Sequence, residues 1–105
     1  MQILKTIKPG ETFAMYISIE NDDGMPMTGM ADRIKMQIRN SLDELISDVN
    51  ISETETPGQY LFEVDDTSKW PIRELYTDIR IRKEERTQIT ETLKIRVVKE
   101  VTKDE

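Results

Sequence analysis

Neither cysteine nor histidine occurs anywhere in this chain, and tryptophan occurs only once. Without cysteine there is no disulfide framework and no thiolate metal site, which rules out a bridged sandwich of the antibody type and leaves the redox compartment open. Without histidine the chain lacks the side chain that most often acts as a general base, activates a nucleophile or holds zinc. Any catalysis would have to rest on carboxylates, lysine or tyrosine. Long apolar runs are missing as well. No stretch approaches the roughly 20 residues of a membrane-spanning helix, and no basic segment leading into an apolar run opens the sequence. The expectation is a protein that is neither membrane-embedded nor marked for export.

What is present is a short, charged chain. Its 105 residues suit one domain with a modest core, and 36% hydrophobic against 34% charged residues is a composition that folds with little core to spare. The net charge of −6 argues against a general nucleic-acid binder, because affinity for phosphate backbones needs a surplus of lysine and arginine. No internal repeat, linker or low-complexity segment divides the chain, and the charged end from Lys99 to Glu105 is expected to fray.

A two-residue period runs through most of the rest. Ile3 to Ile7 reads as a first strand closed by the turn pair Pro9-Gly10. From Thr12 to Glu20, Phe13, Met15, Ile17 and Ile19 alternate with Ala14, Tyr16 and Ser18, and Asn21 to Gly24 then turns the chain. Ile34, Met36 and Ile38 alternate with Arg33, Lys35, Gln37 and Arg39 in a third strand. In a fourth, Leu45, Ser47, Val49 and Ile51 share a face, although Ile46 blurs the pattern and Ser41 to Asp48 also permits a helix. After the turn Thr56-Pro57-Gly58, Tyr60, Phe62 and Val64 point inward, and Asp65 to Lys69 reads as one capped helical turn ended by Trp70-Pro71. Leu75, Thr77, Ile79 and Ile81 alternate in a sixth strand, the polar segment Lys83 to Thr87 turns, and Leu93, Ile95 and Val97 point inward from a seventh. About seven short strands without a helical period predict an all-β fold, an immunoglobulin-like antiparallel β-sandwich spanning residues 1–105 as one domain.

The acidic pairs Asp22/Asp23 and Asp65/Asp66 fall in turns, where aspartate bonds nearby backbone; calcium is the functional alternative, but neither segment has calcium-loop spacing. No phosphate cradle or nucleophile elbow occurs, so no cofactor, metal or catalytic residue is assigned. The charge pattern says more. If the third, sixth and seventh strands share a sheet, Arg33, Lys35 and Arg39 lie on its outer face beside Arg80, Arg82, Lys94 and Arg96. The opposite sheet then shows Ala14, Tyr16, Ser18 and Glu20 with Leu61, Glu63 and Asp48, a more acidic and apolar face. Complementary faces of this kind suit stacking of copies, while the plainer reading is that the cations keep an exposed sheet soluble and its edges apart. Met25, Met27 and Met30 form either an adaptable docking loop or a cap on the core, and Trp70 either closes the end of the sandwich or offers a sugar platform.

The order of these motifs resembles a group of small tailed-phage structural proteins with an immunoglobulin-like fold, similar to the N-terminal domains of some baseplate and tail-fibre proteins. The shared features are Pro9-Gly10-Glu11-Thr12-Phe13, Asp23-Gly24-Met25-Pro26, Thr28-Gly29 and Ile34-Lys35-Met36-Gln37-Ile38-Arg39. They continue with Pro57-Gly58-Gln59-Tyr60, Thr67 to Trp70-Pro71, Tyr76-Thr77-Asp78-Ile79 and Val97 to Thr102, so the likeness spans residues 8 to 102. Ile72-Arg73-Glu74 departs from it, standing where a proline-glycine turn often follows the tryptophan. The resemblance implies a non-enzymatic virion component, made in the cytoplasm of a bacterial host. It would be a homo-oligomer among other phage structural proteins at the tail, baseplate or fibre-attachment region, with no nucleic acid and no membrane as partner. A capsid decoration protein is the alternative within that class, and a soluble receptor- or carbohydrate-binding module the alternative outside it.

Overall fold

Alternating apolar residues give strands one buried and one wet face, and two such sheets bury their apolar faces against each other. The computed structural model describes residues 1–102; Lys103 to Glu105, part of the tail expected to fray, lie outside the described residues. The protein is a β-sandwich. In chain order the strands are β1 (Ile3–Ile7), β2 (Phe13–Ser18), β3 (Ile34–Arg39), β4 (Leu45–Asp48), β5 (Asn50–Glu53), β6 (Gln59–Val64), β7 (Glu74–Lys83), β8 (Arg86–Ile89) and β9 (Leu93–Val97). One sheet runs β1-β9-β7-β3-β4, with β8 also on β7, and the other runs β2-β6-β5.

The inward residues are those the alternation picks out. Phe13, Tyr60, Phe62, Met36, Ile38, Leu75 and Ile95 are fully buried, each contributing about 1.5–3 kcal/mol by leaving water. Trp70 closes one end of this core, its ring tilted 49° against Phe13 with centroids 5.8 Å apart.

Several features differ from the sequence expectation. The expected fourth strand is two strands in different sheets. β4 pairs with β3, the chain crosses over at buried Val49, and β5 pairs with β6. A register shift between Ile38 and Arg39 turns Leu45 out to 46% exposure and leaves Ile46 to pack on the core, reversing the face assigned from period two. No helix forms at Ser41 to Asp48, because the Asn40 carboxamide oxygen accepts from the Leu42 and Glu44 amides and closes a turn. Lys83 to Thr87 is not a simple turn either, since the chain reverses at Glu84-Glu85 and β8 pairs back along β7. Asp65 to Lys69 holds a reverse turn rather than a helical one, with the Trp70 amide donating to the Thr67 carbonyl. Finally, β1 runs parallel to β9, while the other ladders are antiparallel.

Candidate interaction surface

β7 organises the candidate surface. It is ten residues long, pairs along one edge with β3, and along the other with β9 through Glu74–Thr77 and then β8 through Arg80–Lys83. The sheet sharing assumed from sequence is therefore present, and the outward positions fall into rows. Lys35 faces Arg80, Gln37 faces Asp78, Arg39 faces Tyr76, Tyr76 faces Lys94, and Glu74 faces Arg96.

These rows divide the face into two unlike halves. In one half the cations are answered. The Lys94 ammonium lies 2.6 Å from the Glu74 carboxylate and the Arg96 guanidinium 4.0 Å from it. Arg39 sits 3.9 Å from Asp43, donates to the Asp43 carbonyl at 2.7 Å and to the Gln37 side chain at 3.0 Å. Gln37 in turn donates to Asp48 at 3.1 Å. The Lys94 ammonium in contact with it holds the Glu74 carboxyl below the usual carboxylate range.

In the other half they are not. Arg33, Lys35, Arg80 and Arg82 line one concavity of about 630 Å³ together with Asp32, Glu84 and Thr87, and none of the four makes an ion pair among the described residues. Lys35 and Arg80 are direct cross-strand neighbours, an arrangement of like charges that destabilises a sheet unless something outside it supplies the counter-charge. Arg33 reaches the group from a 3₁₀ turn, Ala31–Arg33, and not from the strand itself.

The opposite face is only partly as expected. Tyr16 is 63% exposed with half-buried Leu61 across from it, and Ala14 faces Glu63. Asp48 is not there; it belongs to β4, in the basic sheet, because the chain changes sheets just after it. Of the methionine loop, Met25 is 60% exposed, while Met27 and Met30 pack on the core. The Tyr60 hydroxyl fixes that loop, donating to the Met27 carbonyl at 2.6 Å and accepting from the Met30 amide at 3.0 Å. The loop is thus a cap carrying one free methionine.

Both aspartate pairs lie at turns, but of the four only Asp66 closes its turn with its own side chain, and in the first turn that part is taken by Asn21. The Asn21 side chain accepts from the Asp23 and Met25 amides, and Asp66 accepts from the amide and hydroxyl of Ser68, which lowers its pKa. Among the described residues no three acidic side chains converge on a cation position. No helix among them is long and apolar enough to cross a membrane. Glu74 is not among the face residues the sequence singles out, because the alternation is counted from Leu75; extended by one residue, it places Glu74 outward. In comparisons with known proteins, no family model and no curated protein matches the chain.

Proposed function

We propose that this chain is a non-enzymatic structural protein of a tailed-phage virion, an immunoglobulin-like sandwich assembling in several copies at the tail, baseplate or fibre-attachment region. The observation that carries the reading is the unanswered cationic corner Arg33, Lys35, Arg80 and Arg82 on a chain of net charge −6. Such a corner attracts the acidic surface of a neighbouring copy or partner protein, and repetition around a symmetric particle compensates for small individual contacts. The ordered motifs from Pro9 to Thr102 add the phage setting.

The test is the double substitution Arg80→Glu and Arg82→Glu, with molar mass measured by light scattering across concentration and salt. The expected outcome is a wild-type assembly whose mass falls as salt rises and a variant that already shows, at low salt, the smaller mass the wild type reaches at high salt. A variant of unchanged oligomeric mass would remove the corner from assembly. A monomeric wild type that binds a glycan array would favour the carbohydrate-binding reading.

A further inference from the structure

We infer that the free edge of β2 pairs with β2 of a second copy, extending the three-stranded sheet into one continuous six-stranded sheet across a two-fold axis. This contact is separate from the cationic corner and does not rest on the proposed function.

The backbone of β2 decides which residues point outward. The Ile19 amide donates to the Gly58 carbonyl at 2.8 Å, and on the far side of β6 the Thr54 amide donates to the Gln59 carbonyl at 3.0 Å. In an antiparallel ladder the bonded pairs alternate. With the register Phe13↔Val64, Met15↔Phe62 and Ile17↔Tyr60, those residues spend their peptide groups on β6. Ala14, Tyr16 and Ser18 therefore aim their N–H and C=O groups away from the sheet, at an edge with no neighbouring strand.

The edges at β5, β4 and β1 are protected in ways this one is not, and the remaining edge strand, β8, is only four residues long and opens on the charged Arg86. β5 is four residues long, and Glu53 at its end accepts from the Gly29 amide of the methionine loop. β4 is also four residues and carries the register shift; β1 has a shift of its own between Ile3 and Lys5. β2 has six residues, a regular register, no proline, and three uncharged side chains at its outward positions. Its one guard is Lys5, whose ammonium donates to the Ala14 carbonyl at 3.1 Å from over the Phe13 ring.

The sequence of the edge fits itself. Antiparallel pairing centred on Tyr16 sets Ala14 opposite Ser18 of the second copy and Thr12 opposite its Glu20, so no like charges meet. About six backbone hydrogen bonds form, two of them requiring Lys5 to release Ala14. The two exposed Tyr16 rings meet at the axis, where each gains the contact it lacks in the monomer. A two-fold contact of this kind is self-limiting, unlike an open stack.

Lys5 and Ala14 give variants that move in opposite directions. Ala14→Pro removes an N–H that makes no bond within the monomer, a position where an edge strand tolerates proline. Tyr16→Lys puts a charge on the axis without touching the backbone. Both are expected to leave the fold intact by circular dichroism and to be monomeric, whereas Lys5→Ala is expected to dimerise more tightly than wild type. Amide exchange at Ala14, Tyr16 and Ser18 is expected to slow with rising protein concentration in wild type, and the dimer is expected to survive both high salt and the Arg80→Glu, Arg82→Glu substitutions. A wild type monomeric at every concentration would overturn the inference. So would an oligomer whose mass Tyr16→Lys leaves unchanged while the three edge amides exchange freely.

Discussion

A few residues hold the sandwich through contacts that no neighbour in sequence supplies. Gly58 has φ +77, and a β-carbon there would lie 2.8 Å from that of Pro26 and 3.0 Å from the Ile19 carbonyl oxygen. Left-handed backbone and overpacking act together, so Gly58→Ala is expected to lower stability by about 2–4 kcal/mol, read as a shift in the denaturant midpoint at unchanged slope. Buried Thr67 ties two loops together, donating to the Glu11 carbonyl and accepting from the Gly10 amide. Glu74 gives the molecule an acid-sensitive contact. Its pKa is lowered chiefly by the Lys94 ammonium in contact with it, so the stabilisation is present above the ordinary carboxylate value and is lost as pH falls through the folded-state value. Glu74→Gln is expected to flatten the acid limb of a stability–pH profile while leaving the neutral to basic limb in place.

At the level of elements, the β7–β8 hairpin has little burial to hold it. Its turn places Glu84 at φ +47, a region that a non-glycine residue other than asparagine or aspartate rarely enters. Every residue of β8 is exposed, so little core burial compensates. Glu84→Gly is therefore expected to stabilise the chain by about 1 kcal/mol, or to leave stability unchanged where glycine's greater unfolded-state freedom offsets the relief. Thermal unfolding measures the sum, and a fall of several degrees would contradict the strain. β2, β3, β6 and β7 were legible from sequence because each has a strict period of two with large apolar residues on one side. β8 was not, since Arg86, Thr87 and Gln88 carry no apolar alternation and the strand exists only because β7 continues beyond β9 and offers it an edge. The β4–β5 crossover was hidden for a related reason. Period two counts sides of a strand and carries no mark for the point where a strand changes sheets.

For the whole molecule, the −6 charge is not evenly spread. Cations gather on one sheet, and three of the seven on its outer face, Arg39, Lys94 and Arg96, are paired there with Asp43 and Glu74, so the field is concentrated at the corner holding Arg33, Lys35, Arg80 and Arg82. Contacts made through that corner are screened by salt, while backbone pairing along β2 is not, and raising ionic strength is expected to separate the two modes of association in a single sedimentation series. By itself the sequence determined the all-β class and, Leu45 apart, which side of each regular strand turns inward, because side-chain period and composition are local properties; that the basic residues of three strands share one face rests on the sheet those strands join. Which cations are answered, which face receives Asp48, and which edge lies open were decided only by the tertiary structure. Those depend on register, on the sheet each strand joins, and on distances between residues far apart in the chain.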